Sequence, residues 1–168
     1  MYLPDHEVTL ELLTPAHADA VLAFELENRE YFAQWILDRG DEYFASFPTR
    51  HAALLTEQAA GICRFHVLVD ASGAVVGRVN LVDLENGSAE LGYRIAEKAA
   101  GRGLATAGVR AVIALAATEY GLSTLWAGAS VRNGASRAVL TRVGFRVVGD
   151  SHTELGPGNK YELMLEDA

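Results

Sequence analysis

From Ile62 onward the chain takes up a hydrophobic period of two. The run ICRFHVLVD is followed by the turn Ala71-Ser72-Gly73, then AVVGRVNLVDLE, the pair Asn86-Gly87, and SAELGYRIAE. Alternation of this kind sends successive side chains to opposite faces of a strand. An Asn-Gly pair between two such runs marks a tight hairpin, because both central residues of that turn need a positive φ. Three consecutive antiparallel strands are therefore expected, which excludes an all-helical fold. The period then changes. Gly101 opens a long apolar-periodic helix with Leu104, Val109, Val112, Ile113 and Ala116 along one side and Gly121 as its closing cap.

The flanking segments extend this α/β pattern. Val8 to Leu13 reads as a first strand, and Thr14-Pro15 introduces a helix that breaks around Asn28 into two pieces. Phe47-Pro48-Thr49 starts another helical stretch running to Gly61. Leu125 to Val131 reads as a buried strand, Gly134 to Val143 as a short helix, and Phe145 to Val148 with Tyr161 to Leu165 as closing strands. At 168 residues, without repeat, low-complexity segment or linker, one domain spanning 1–168 is expected.

Composition narrows the function. Half the residues are hydrophobic and 21% are charged, which is ordinary for a globular chain. Fourteen Lys and Arg against twenty-two Asp and Glu leave a net charge of −8, which argues against nucleic acid or an anionic membrane as partner. The average conceals a division. Arg94 to Arg146 holds eight basic and two acidic residues, the remainder six basic and twenty acidic, which suggests a local anion site inside an acidic protein, the alternative being a chance clustering of solvated faces. The single Cys63 excludes a disulfide framework and fits a reducing, cytoplasmic setting. The longest apolar run, Ala111 to Ala117, falls far short of the roughly 20 residues a spanning helix needs. Tyr31, Phe32, Trp35, Tyr43 and Phe44 form either core or an aromatic wall for a substrate.

The segment Ala99 to Thr106, AAGRGLAT, lies between a predicted strand and a predicted helix. Glycines there let the backbone approach an anion, and the N–H groups opening the helix stabilise phosphate charge. Arg102 adds a cation. The phosphate-binding loop G-x-x-x-x-G-K-[ST] is absent. A dinucleotide fingerprint is incomplete, since Thr106 stands where the third glycine should be and the loop follows an antiparallel run.

Taken in order, Glu90-Leu-Gly-Tyr-Arg-Ile95, Ala100-Gly-Arg-Gly-Leu-Ala-Thr106, Asn133-Gly-Ala-Ser136 and Val143-Gly-Phe145 resemble the GNAT superfamily of acetyl-CoA-dependent N-acetyltransferases. Together with Asn28-Arg-Glu-Tyr-Phe32 and Trp35 they look most like its RimJ/RimL type, which acetylates N-termini of ribosomal proteins. The resemblance implies a mixed, mostly antiparallel sheet of about six to seven strands flanked by about four helices. It also implies that backbone near Tyr93 and Ile95 pairs with the pantetheine arm. Amides of Gly101, Arg102, Gly103, Leu104, Ala105 and Thr106 would hold the pyrophosphate, and Asn133 would contact the cofactor further on. Two positions depart from the pattern: Ala100 stands where Gln or Arg is usual, and Leu140 where many members carry a tyrosine acid.

Acetyl transfer to an amine requires a neutral amine, a polarised carbonyl and a protonated leaving thiolate. Backbone N–H groups near Ile95 can stabilise the oxyanion. Glu154, by resemblance to a RimL-type glutamate, and Glu90 on the central strand are the candidate bases, against a solvated loop carboxylate and a structural hydrogen-bonding role respectively. Ser136, by resemblance to the RimL-type serine, is the candidate proton donor to the thiolate; its alternative is a helix cap or cofactor contact. His66 reads as a packed histidine. No histidine stands at metal-ligand spacing with another ligand, so no metal is expected. The acceptor is expected to be a protein N-terminal α-amine, or else a small-molecule amine such as a polyamine or aminoglycoside. A non-catalytic acyl-CoA sensor is the alternative motivated by Ala100 and Leu140, and apolar aromatics near the N-terminus make a homodimer an option.

Overall fold

The computed structural model describes residues 1–167. In chain order the elements are β1 (Tyr2–Leu3), β2 (Val8–Leu12), α1 (Ala18–Glu27), α2 (Arg29–Phe32), α3 (Asp41–Ala45), α4 (Phe47–Ala59), β3 (Arg64–Asp70), β4 (Val75–Glu85), β5 (Ser88–Ile95), α5 (Leu104–Thr118), β6 (Thr124–Ser130), α6 (Gly134–Arg142), β7 (Arg146–Thr153) and β8 (Gly156–Met164). All eight strands join one sheet in the order β1-β2-β3-β4-β5-β6-β8-β7. Only β5 and β6 run parallel.

The antiparallel run appears where the period of two requires it. β3, β4 and β5 pair in sequence, and the β4–β5 turn sits at Asn86 (φ 51°) and Gly87 (φ 76°), the positive-φ pair an Asn-Gly hairpin needs. Period two then separates two cores. On one face α5 lays Val109, Val112, Ile113 and Ala116 over Leu68, Val79, Leu81 and Leu91. At Gly108 a Cβ would meet the Leu68 side chain at 3.1 Å. On the other face Val21, Phe24, Phe32 and Phe47 from the N-terminal helices cover Phe65, Val67 and Val75.

The helical break at Asn28 is a working junction. Its Nδ2 donates to Phe24 O at 2.9 Å and its Oδ1 accepts the Glu97 N–H at 3.0 Å, so the α1–α2 corner is pinned to the segment after β5.

Among the described residues, four expectations differ from the structure in extent. There are eight strands, the additional one being the two-residue β1. The six α-helices include the short α2 and α3. The closing strands are longer than their apolar cores suggested, because β7 is an edge strand whose Asp150, Ser151 and His152 carry no apolar alternation. The helix after the glycine loop starts at Leu104, with Gly101 and Gly103 left in the loop, and it ends at Thr118, three residues before Gly121.

Candidate active site

β5 and β6 are held together only at Ser88↔Thr124, Ala89↔Leu125 and Glu90↔Trp126. Beyond Glu90 they part: β5 stays registered on β4 as far as Ile95, and β6 on β8 as far as Ser130. Leu91 to Ile95 therefore leave the β6-facing edge of their backbone without a strand partner. The opening is a cleft of about 860 Å³ that continues between the glycine loop and α6.

The glycine loop forms one end. Gly101 (φ 75°) and Gly103 (φ 81°) both occupy the left-handed region that a side chain disfavours. No side chain caps α5, and the first backward bond runs from Ala107 N to Gly103 O at 3.0 Å. The N–H groups of the first turn are left for an external acceptor. Gly101, Gly103, Leu104, Ala105 and Thr106 all line the cleft. Arg102 does not. Placed between two glycines, its side chain turns back and donates from Nη2 to Lys98 O at 2.6 Å.

The middle is formed by β5 and α6. Tyr93 and Ile95 line the cleft with Asn133 and Ser136. Asn133 Oδ1 caps α6 by accepting the Ser136 N–H at 3.1 Å, which leaves only its Nδ2 uncommitted. Ser136 is thus the capped residue rather than the cap. Burial raises the Tyr93 phenol pKa, and the neighbouring Ser136 side chain works against that shift. Leu140 is buried to 1% exposure inside the α5-side core, so the position where a tyrosine is usual is filled by packing.

The far end carries the two carboxylates. Glu90 is half-buried, and its pKa is raised first by desolvation and then by the Asp83 charge. Glu154, on the β7–β8 turn, is exposed; its Oε2 accepts the Leu37 N–H at 2.9 Å, tying that turn to the segment between α2 and α3. Tyr31, Phe32 and Trp35 line this end, whereas Tyr43 and Phe44 pack edge-on against each other at 5.2 Å outside it. The aromatics therefore divide between wall and packing.

Sequence reasoning overlooked a charged cluster beneath this end. Glu25 is 2% exposed and holds two guanidiniums, Oε1 accepting from Arg78 Nη1 at 2.9 Å and Oε2 from Arg94 Nη1 at 3.0 Å. The available signal was a glutamate in an apolar helix and two arginines at like-facing positions of apolar strands. His66, by contrast, lies in the core: it bonds Val79 O at 3.0 Å and Tyr120 Oη at 2.7 Å, and burial pushes its pKa down to about 4. Among the described residues, no group of three or more His, Cys, Asp or Glu side chains gathers to hold a metal, and no helix is long and apolar enough to cross a membrane.

A family model described as "Acetyltransferase (GNAT) domain" matches residues 7–146. The chain belongs to the GNAT acetyltransferase family. It is an acetyl-CoA-dependent N-acetyltransferase. Among similar proteins, "Putative ribosomal N-acetyltransferase YdaF" of Bacillus subtilis is 28% identical over 160 residues, 90% of this chain and 84% of its own. A ribosomal-protein-S5-alanine acetyltransferase from Vibrio fischeri superposes with a TM-score of 0.89 at 18% identity, covering 96% of this chain and 94% of that one. RimJ of Mycobacterium smegmatis, solved with a CoA-disulfide, gives 0.88 at 24% identity over 99% and 86%.

The cleft of this GNAT enzyme fits its cosubstrate: the uncapped first turn of α5 offers N–H donors to the phosphates, and the parted strands offer an edge to an extended arm. When bound, acetyl-CoA supplies an acetyl thioester.

Proposed function

We propose that this enzyme acetylates the α-amino group of a protein N-terminus. In this reading Tyr93 and Ile95 pair through their backbone with the pantetheine arm. The amides of Gly101, Arg102, Gly103, Leu104, Ala105 and Thr106 hold the pyrophosphate, Arg102 by its backbone alone, and Asn133 contacts the cofactor through Nδ2. Backbone N–H groups near Ile95 stabilise the oxyanion. Ser136 protonates the leaving thiolate, and Glu90 or Glu154 takes the ammonium proton directly or through water.

The observation that carries the α-amine reading is the Leu37–Glu154 bond across the acceptor end, flanked by Tyr31 and Trp35. It ties the β7–β8 turn to the segment between α2 and α3 beside the cleft, and in this reading a chain end enters there. The available bases support the same choice. Neutralising a lysine at pH 7 costs roughly 3 kcal/mol more than neutralising an α-amine, at about 1.36 kcal/mol per pKa unit. A half-buried carboxylate is a modest base for that task. The names of the Vibrio fischeri and Bacillus subtilis relatives point the same way.

A second reading, a small polyamine or aminoglycoside as acceptor, draws on the −8 net charge and on Glu90 and Glu154 at the cleft. Thiol release from acetyl-CoA, measured with peptides bearing free or blocked N-termini and with polyamines and aminoglycosides, decides between them. Turnover confined to free N-termini is expected. Turnover of the small amines with inert peptides reverses the assignment.

A further inference from the structure

Glu90, Gly92 and Arg94 alternate along one face of β5, the face that the N-terminal helices cover. Arg94 stands directly across from Arg78 on β4. Two guanidiniums in cross-strand positions repel, and Glu25 from α1 lies between them with one oxygen on each. One carboxylate against two guanidiniums leaves the cluster with one uncompensated positive charge. It is also short of acceptors, since Arg78 Nε is buried without a partner among the described residues. A buried charge of this kind is costly unless something compensates it.

Of the two arginines, Arg94 borders the cleft. Only its Nη1 is taken, by Glu25, and its guanidinium lies 5.5 Å over the Phe32 ring. Its side chain is 20% exposed, against 8% for Arg78. Next to it on the same strand face, Gly92 has nothing within 4 Å of where a Cβ would stand, so that position is open. Arg39 adds to the positive field, while burial lowers the Arg94 pKa and Glu25 raises it. Glu90 is four strand residues away, about 13 Å at the usual rise, and Glu154 has its Oε2 on the Leu37 N–H.

We infer that Arg94 is a specificity residue that receives a carboxylate placed close to the amine being acetylated. A guanidinium fork with free donors matches a carboxylate in a bidentate manner. The carboxylate has two possible sources: an acidic side chain in the first residues of a peptide, or the α-carboxylate of a free amino acid. The inference rests on the acceptor end of the cleft assigned above.

The test compares kcat/KM for peptides beginning Ala-Asp, Ala-Asn and Ala-Lys, and for phenylalanine against phenethylamine, in the wild-type enzyme, in Arg94→Gln and in Arg94→Lys. The Asp peptide, or phenylalanine, should exceed its uncharged counterpart by about tenfold or more, with the Lys peptide poorest. Arg94→Gln should bring the ratio to about one, and Arg94→Lys should retain part of it. Arg94→Gln leaves Glu25 paired one-to-one with Arg78, so the fold keeps a neutral cluster. Equal rates in wild type, a ratio that persists in Arg94→Gln, or no acetylation in either arm overturns the inference. An Arg94-dependent ratio for phenylalanine with inert peptides would uphold it while overturning the N-terminal reading. Peptide turnover without a ratio would do the reverse.

Discussion

Gly103→Ala isolates the backbone contribution of the glycine loop. Gly103 sits at φ 81°, ψ 5°, immediately before the first residue of α5. A Cβ there would come no closer than 3.8 Å to His6 Cε1, which is ordinary contact, so the substitution adds strain without a clash. An L-residue in the left-handed region costs about 1–2 kcal/mol. The loop can keep its shape and lose that stability, or abandon the shape and move the first-turn N–H groups. In the first case urea denaturation shows about 1–2 kcal/mol less stability with acetyl-CoA binding retained. In the second, stability holds and affinity for acetyl-CoA falls, by about tenfold for each 1.4 kcal/mol released. The measurement is the urea midpoint with and without acetyl-CoA, because a ligand that binds only the folded state raises stability by RT ln(1 + [L]/Kd). Gly103→Asn should be milder, since asparagine tolerates this region better. A Gly103→Ala protein with wild-type stability and a wild-type acetyl-CoA shift would refute the argument that this backbone geometry serves cofactor binding.

Four further outcomes are expected. Ser136→Ala should lower kcat by about 10²-fold if the hydroxyl is the proton donor, and a near-wild-type rate returns that task to water. Glu154→Gln keeps an oxygen for the Leu37 N–H, so loss of kcat in this variant marks Glu154 as a base, whereas a KM effect seen only in Glu154→Ala marks it as a latch. The raised Glu90 pKa places the acid limb of its kcat/KM profile above the ordinary carboxylate range if Glu90 is the base, and Asp83→Asn should move that limb to lower pH. His66 is neutral in the fold down to about pH 4, against an ordinary value of 6.5. Between those values the unfolded chain binds the extra proton, so stability falls as pH drops through this window, by about 3 kcal/mol in all. His66→Gln should flatten that dependence in urea titrations across pH 4 to 7, and an unchanged slope would show that His66 is not its source.

The local order of this chain was readable because local chemistry dictates it. Asn86-Gly87 needs no tertiary partner to favour a hairpin, and the Gly101–Gly103 spacing permits its loop wherever a helix follows. The β7–β8 hairpin was only partly readable, because an edge strand with Asp150 and His152 exposed and Ser151 half-buried obeys no apolar alternation. Trp35 and Phe44 are both aromatic and near in sequence, yet only the first borders the cleft, a difference set by where α2 and α3 end rather than by residue type.

What lay beyond the sequence is whatever depends on distant elements meeting. Glu25, Arg78 and Arg94 lie on three different elements, and their shared charge exists only once α1 folds onto the sheet. The parting of β5 from β6 after Glu90↔Trp126 is likewise a product of sheet registry, each strand following its outer neighbour. The sequence by itself determined the alternating strands β3 to β5, their turns and the glycine loop ahead of a helix, since periodicity and φ preference act over a few residues. Tertiary structure alone decided which side chains face the acceptor and with what net charge, because Coulomb interactions and burial depend on distance through space.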